Sequence, residues 1–152
     1  MTGVQTCALP ICYAVANDKG TYGSLAVDAA TGAWTYTLDN AAHQNLAAGE
    51  SHVETFTVVV TDDKGGTAEQ TVSVTVNGTN DAPVITSGVQ AGSVTEDTSL
   101  VATGQVTSSD VDHGATASYA VANDKGTYGS LAVDAATGAW TYTLDKIGRA
   151  HV

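Results

Sequence analysis

Apolar and polar residues alternate along most of this chain with a period of two. Trp34, Tyr36 and Leu38 fall on one side and Thr35 and Thr37 on the other. Val72, Val74 and Val76 alternate in the same way with Thr71, Ser73 and Thr75. A strand turns successive side chains to opposite faces, so these runs predict half-buried β-strands. In chain order the pattern predicts a strand start at 13–17, then a hairpin over 24–28 and 33–39. An Ala-rich helical turn or loop follows at 40–50, then a long strand at 52–62 and its return at 67–76. Core candidates are Leu25, Val27 and Trp34 in the hairpin and Val53, Phe56, Val58 and Val60 in the long strand. Gly32 ends a short loop where left-handed backbone is needed. Asp62-Asp63-Lys64-Gly65-Gly66 turns the second hairpin. Asn77–Pro83 breaks the alternation and reads as a linker. Beyond it come a split strand over 84–89 and 92–95, a turn at Glu96-Asp97-Thr98, a strand at 100–107 and an acidic loop at 108–115.

The hairpin then recurs. Tyr119–Asp145 repeats Tyr13–Asp39 letter for letter, at an offset of 106 residues. That period is the size of a domain, not of a solenoid turn. The first copy has no opening strands before it and the second no closing pair after it. Joining 80–145 to 40–79 builds one period of about seven strands with frequent turns and no long helix, the pattern of a β-sandwich. The expected fold is therefore all-β: an antiparallel Ig-like sandwich present as two incomplete tandem repeats. Residues 1–11 and 147–152 match nothing in the periodic part and resemble translated sequencing adapters. Cys12 replaces the Ser118 of the other copy and Lys146 replaces its Asn40, as split codons at such junctions would give. The expected division is 1–12 and 146–152 as artefact, 13–79 as the C-terminal part of one repeat and 80–145 as the N-terminal part of the next. Setting the ends aside removes Cys7, Cys12, Met1 and Arg149, so 13–145 contains no thiol to brace it.

Charge narrows the partners. Sixteen acids face five Lys and Arg, a net charge of −11. Nucleic acid and anionic membrane both require a basic patch, so neither is expected, and no apolar run is long enough to span a bilayer. The balance favours cations. The acids sit in turns: Asp110 and Asp112 as D-x-D, Asn80-Asp81 in the linker, Asp62-Asp63 at a hairpin tip, Glu96-Asp97 in another turn, and Glu50 before a strand. Hard cations take six to eight oxygens from carboxylates, Asn and backbone carbonyls, and turns supply all three. Without cysteines or paired histidines, calcium (Ca2+) suits this set better than zinc.

The segments VNGTNDAPVI, SVTEDT, SSDVDHGA, GSLAVDAATGAWTYTLD and FTVVVTDDKG, in that sequence order along one period, resemble the VCBS repeat of large bacterial surface adhesins. The same landmarks are similar to those of cadherin domains, in which calcium at the linker ties one domain to the next. The resemblance implies a metal site at the linker with Glu50 and Asp81, a carbonyl from Asn80, and Asp110 and Asp112. It implies that Asp62 serves a preceding linker and Glu96 a following one. Asn77 stands where the cadherin pattern has a second Asp.

The function this implies is a structural and adhesion module of a large bacterial cell-surface or secreted protein, with calcium stiffening its linkers. Its partners would be neighbouring repeats, together with cell-surface glycans or proteins. The alternative is a carbohydrate- or protein-binding sandwich using Tyr22, Tyr128 and the Trp-bearing hairpin. No catalytic residues are expected: no nucleophile–His–acid arrangement or phosphate loop is visible, and duplicated hairpins argue against a unique cleft. Sandwiches cut between strands expose unpaired edges, so this fragment is expected to aggregate or exchange strands where a whole period would fold.

Overall fold

The computed structural model describes residues 9–146. Most of the two stretches read above as adapters lies outside that range. The chain divides into two compact units, Met1–Asn80 and Asp81–Val152. Among the described residues the structure is strand and turn, with one 3-10 turn at Asn40–Ala42 and no α-helix.

Unit 1 contains β1 (Ile11–Val15), β2 (Gly23–Val27), β3 (Trp34–Leu38), β4 (Ser51–Asp62) and β5 (Thr67–Asn77). They form an antiparallel sheet ordered β1-β4-β5 and a separate hairpin β2-β3. Ile11 and Cys12 continue β1 opposite Asp62 and Thr61. Cys12 is disulfide-bonded. Leu25 from the hairpin meets Phe56 and Val58 from β4, and Tyr13, Val15, Val27, Tyr36, Val72 and Val74 close around them. Each of the three central side chains contributes roughly 1.5–3 kcal/mol by leaving water. The sandwich of the expected fold is thus realised as two facing antiparallel layers.

The period of two decides which residues of β4 enter that core. His52, Glu54, Phe56 and Val58 share the inner side, so Val53 is turned outward and stays 64 % exposed, contrary to its expected core role. The tip of β4–β5 follows the turn chemistry. Gly65 has φ +84°, and Asp62 Oδ1 accepts from the amides of Lys64 and Gly66.

Unit 2 contains β6 (Val84–Ile85), β7 (Val101–Gln105), β8 (Ser108–Ser109), β9 (Gly129–Val133) and β10 (Ala139–Leu144). One sheet is ordered β7-β10-β9 and the other is the short pair β6-β8. The split strand expected over 84–89 and 92–95 is reduced to Val84–Ile85, because only those residues find a ladder partner, in Ser108 and Ser109. The loop of the repeated hairpin is built identically in both units. Asp28 Oδ1 accepts from Ala30 and Thr31, and Asp134 Oδ1 from Ala136 and Thr137. Gly32 and Gly138 carry the positive φ.

Candidate metal centre

The acids expected to bind metal are best described unit by unit. In unit 2, Asp81 opens the chain and the loop after β8 carries Asp110 and Asp112. The Asp81 amide donates to Asp112 Oδ2 at 2.9 Å, and the Asp112 amide donates to Asp110 Oδ1 at 2.9 Å. The loop closes where the Ala115 amide donates to the Asp112 carbonyl at 3.3 Å, beside Gly114 at φ +69°. Asp112 is 8 % exposed, and its Oδ1 is buried with no hydrogen-bond partner. A buried carboxylate oxygen left unpaired is costly, and native structures rarely keep one without an ion or water to meet it. This fits a hard cation, although among the described residues no three of His, Cys, Asp and Glu converge as a ligand set. Calcium completes its shell with carbonyls and water, so carboxylates need not supply it alone.

Glu96 lies elsewhere in unit 2, at an exposed turn whose ends pair through Thr95 and Ser99 and whose next residue, Asp97, has φ 64°. In unit 1, Glu50 Oε2 accepts from the Ala47 amide at 2.8 Å, and Oε1 lies 3.7 Å from His52 Nε2. The Glu50 carbonyl accepts from Gly78 at 3.0 Å, which ties the start of β4 to the linker. Asp62 is engaged in its own hairpin tip. Asn80 is the exposed last residue of the unit. The structure therefore joins Asp81, Asp110 and Asp112 through backbone bonds within unit 2 and places Asp62 and Glu96 in separate turns.

One group escapes the sequence reading. Glu54 is buried, and it accepts from the Tyr36 hydroxyl and from the Tyr22 amide at 2.9 Å. Burial pushes its carboxyl up, but bonds from Tyr36, Tyr22 and Thr21 and the nearby His43 outweigh this and hold it below its ordinary value. Burial, and then the same bond, pushes Tyr36 up to about 12. The signal was present in the sequence: Glu54 has the same strand parity as Phe56 and Val58. Tyr22, a candidate sugar platform, is stacked on His52 at 4.9 Å and tilted against His43 at 4.8 Å.

Facing antiparallel layers, a domain-sized repeat and an acidic loop bonded to the linker define a tandem cadherin-like sandwich. A family model described as bacterial cadherin-like domain matches the chain twice, over residues 4–78 and 80–148. The chain belongs to that family. Among curated proteins, none matches it.

Proposed function

We propose that this chain is a calcium-stiffened structural and adhesion segment of a bacterial cell-surface or secreted protein, built from repeats of the VCBS kind. Membership of the bacterial cadherin-like family supports the repeat-module part of this reading. The order of the linker, acidic loop and hairpin landmarks supports the VCBS part. The single observation that carries the calcium part is the buried, unpartnered Oδ1 of Asp112. Its other oxygen already holds the amide of Asp81, one residue after the boundary between the units. A divalent ion taken up by Asp112, with Asp110, Asp81 and nearby carbonyls as donors, would meet that oxygen and relieve the repulsion among these carboxylates. It would also fix the loop to which the linker is bonded. The chain thereby changes from a flexible to a stiff connector as calcium rises.

Isothermal titration of the full chain with calcium chloride tests this. The expected result is saturable binding with Kd of roughly 0.1–1 mM, as in other extracellular modules. Asp112→Asn is expected to weaken it at least about tenfold while leaving the far-ultraviolet spectrum unchanged. No heat beyond dilution, or full binding by Asp112→Asn, would overturn the assignment.

A further inference from the structure

The last rung of the β4–β5 ladder holds a reactive dipeptide. Asn77 ends β5 opposite Ser51 and is exposed. It is followed by Gly78, whereas the other five asparagines precede Asp, Ala or Leu. A backbone nitrogen with no Cβ beside it meets the least hindrance in attacking the side-chain amide of the residue before it. The fold holds both partners of that attack. The Gly78 amide donates to the Glu50 carbonyl at 3.0 Å, and the Ser51 hydroxyl donates to Asn77 Oδ1 at 3.1 Å. Gly78 is tucked against the 46–50 loop, where a Cβ would come within 2.2 Å of the Ala47 carbonyl oxygen and 2.5 Å of the Leu46 carbonyl oxygen. That loop is itself anchored: Leu46 is buried, and Glu50 Oε2 accepts from the Ala47 amide.

We propose that Asn77 is a deamidation site latched shut by the 46–50 loop. When the rung opens, hydroxide removes the Gly78 amide proton and the nitrogen attacks Asn77 Cγ, forming a new C–N bond. The tetrahedral adduct takes up a proton and expels the side-chain nitrogen as ammonia, leaving a succinimide. Water then adds to either ring carbonyl and opens the ring to aspartate or isoaspartate. The sum is one water consumed and one ammonia released, with no change of oxidation state. In the closed rung the Gly78 proton is held by Glu50 and the ladder fixes the backbone on both sides of the bond, so the reaction waits for local opening. Strand ends open at far less cost than the whole domain. Either product places a negative charge at the end of β5, and isoaspartate also lengthens the backbone by one methylene. The lengthened rung no longer fits the Ser51 register, so conversion leaves the loop unlatched. The end of β5 thus keeps a covalent record of how often this rung has opened.

The test uses the full chain in chelator, so that its outcome is independent of calcium. The chain is held at mildly alkaline pH in oxygen-18 water and mapped by peptide mass spectrometry. Asn77 should convert ahead of the other asparagines and yield both aspartate and isoaspartate carrying the label. Urea sufficient to unfold unit 1 should speed conversion at least about fivefold, and that factor should match the amide-exchange protection of Gly78, because both pass through one opening. Gly49 has φ +88° and open space around its Cβ position, so Gly49→Val strains the loop while touching no core residue. It should speed conversion in the folded chain at least about twofold. The urea and exchange comparison stands without this variant. Aspartate formed without isoaspartate, a rate unmoved by urea, a slowing that does not match Gly78 protection, or a folded Gly49→Val chain that converts no faster would each overturn the inference.

Discussion

Glu54 shows how one side chain couples packing to charge. It shares a strand face with Phe56 and Val58, so the fold buries a carboxylate beside the core and must satisfy it. Tyr36 and the Tyr22 amide do so. Hydrogen bonds to charged groups are worth roughly 1.5–3 kcal/mol, so Glu54→Gln is expected to lower stability by about 1–2 kcal/mol in urea unfolding followed through unit 1. The pH dependence follows from the two shifts. Glu54 is depressed, so its contribution is present above the ordinary carboxyl value and lost as pH falls through its lowered value. Tyr36 is raised, so its contribution is complete below the ordinary tyrosine value of about 10 and is lost as pH climbs toward about 12. Tyrosinate absorbance should show one late-titrating tyrosine, and Glu54→Gln should move it to lower pH by removing the charge that opposes ionisation. A tyrosine titration unmoved by this change would contradict the pairing.

At the scale of elements, the molecule contains its own control. The same 27 residues form three strands in unit 1 and two in unit 2. Trp34 is 49 % exposed whereas its copy Trp140 is 8 % exposed. The difference is what lies alongside. Only in unit 2 does β7 pair with the repeated strand, and Gln90 Oε1 accepts from the Trp140 indole at 3.1 Å. Trp34→Phe should therefore leave a blue-shifted, iodide-protected emission from Trp140, and Trp140→Phe a red-shifted, quenchable emission from Trp34. Gly104 is the close approach that permits this. A Cβ there would lie 2.4 Å from Trp140 Cζ2, so Gly104→Val should cost unit 2 roughly 1–3 kcal/mol by overpacking, read as a lower melting temperature with unit 1 unchanged. Strand existence, hairpin turns and the all-β class were legible in the sequence because alternation and turn residues are local. The exposure of Trp34, expected in the core, was not, since burial at this position depends on a neighbour from another part of the repeat. Val53 failed for a simpler reason: its hydrophobicity suggested the core, while its parity set it against Phe56 and Val58.

At the scale of the whole molecule, the repeat and the family define a structural repeat module, and the proposed function makes its response to calcium depend on the acidic loop of unit 2. Of the candidate site, the D-x-D loop and Asp81 were legible as acids in turns, but their mutual bonding and the orphaned oxygen of Asp112 required the chain to be folded. Ligand binding to the folded state alone stabilises by RT ln(1 + [L]/Kd). With Kd near 0.5 mM and about 5 mM calcium this is about 1.4 kcal/mol, a rise of several degrees for a domain of this size. The most direct measurement is a paired melting and amide-exchange experiment on the full chain, with calcium and with chelator. The account predicts that calcium raises the melting temperature of unit 2 by several degrees and slows exchange at the Asp81 and Asp112 amides, and that Asp112→Asn abolishes both effects. Identical melting and exchange with calcium and with chelator would contradict it.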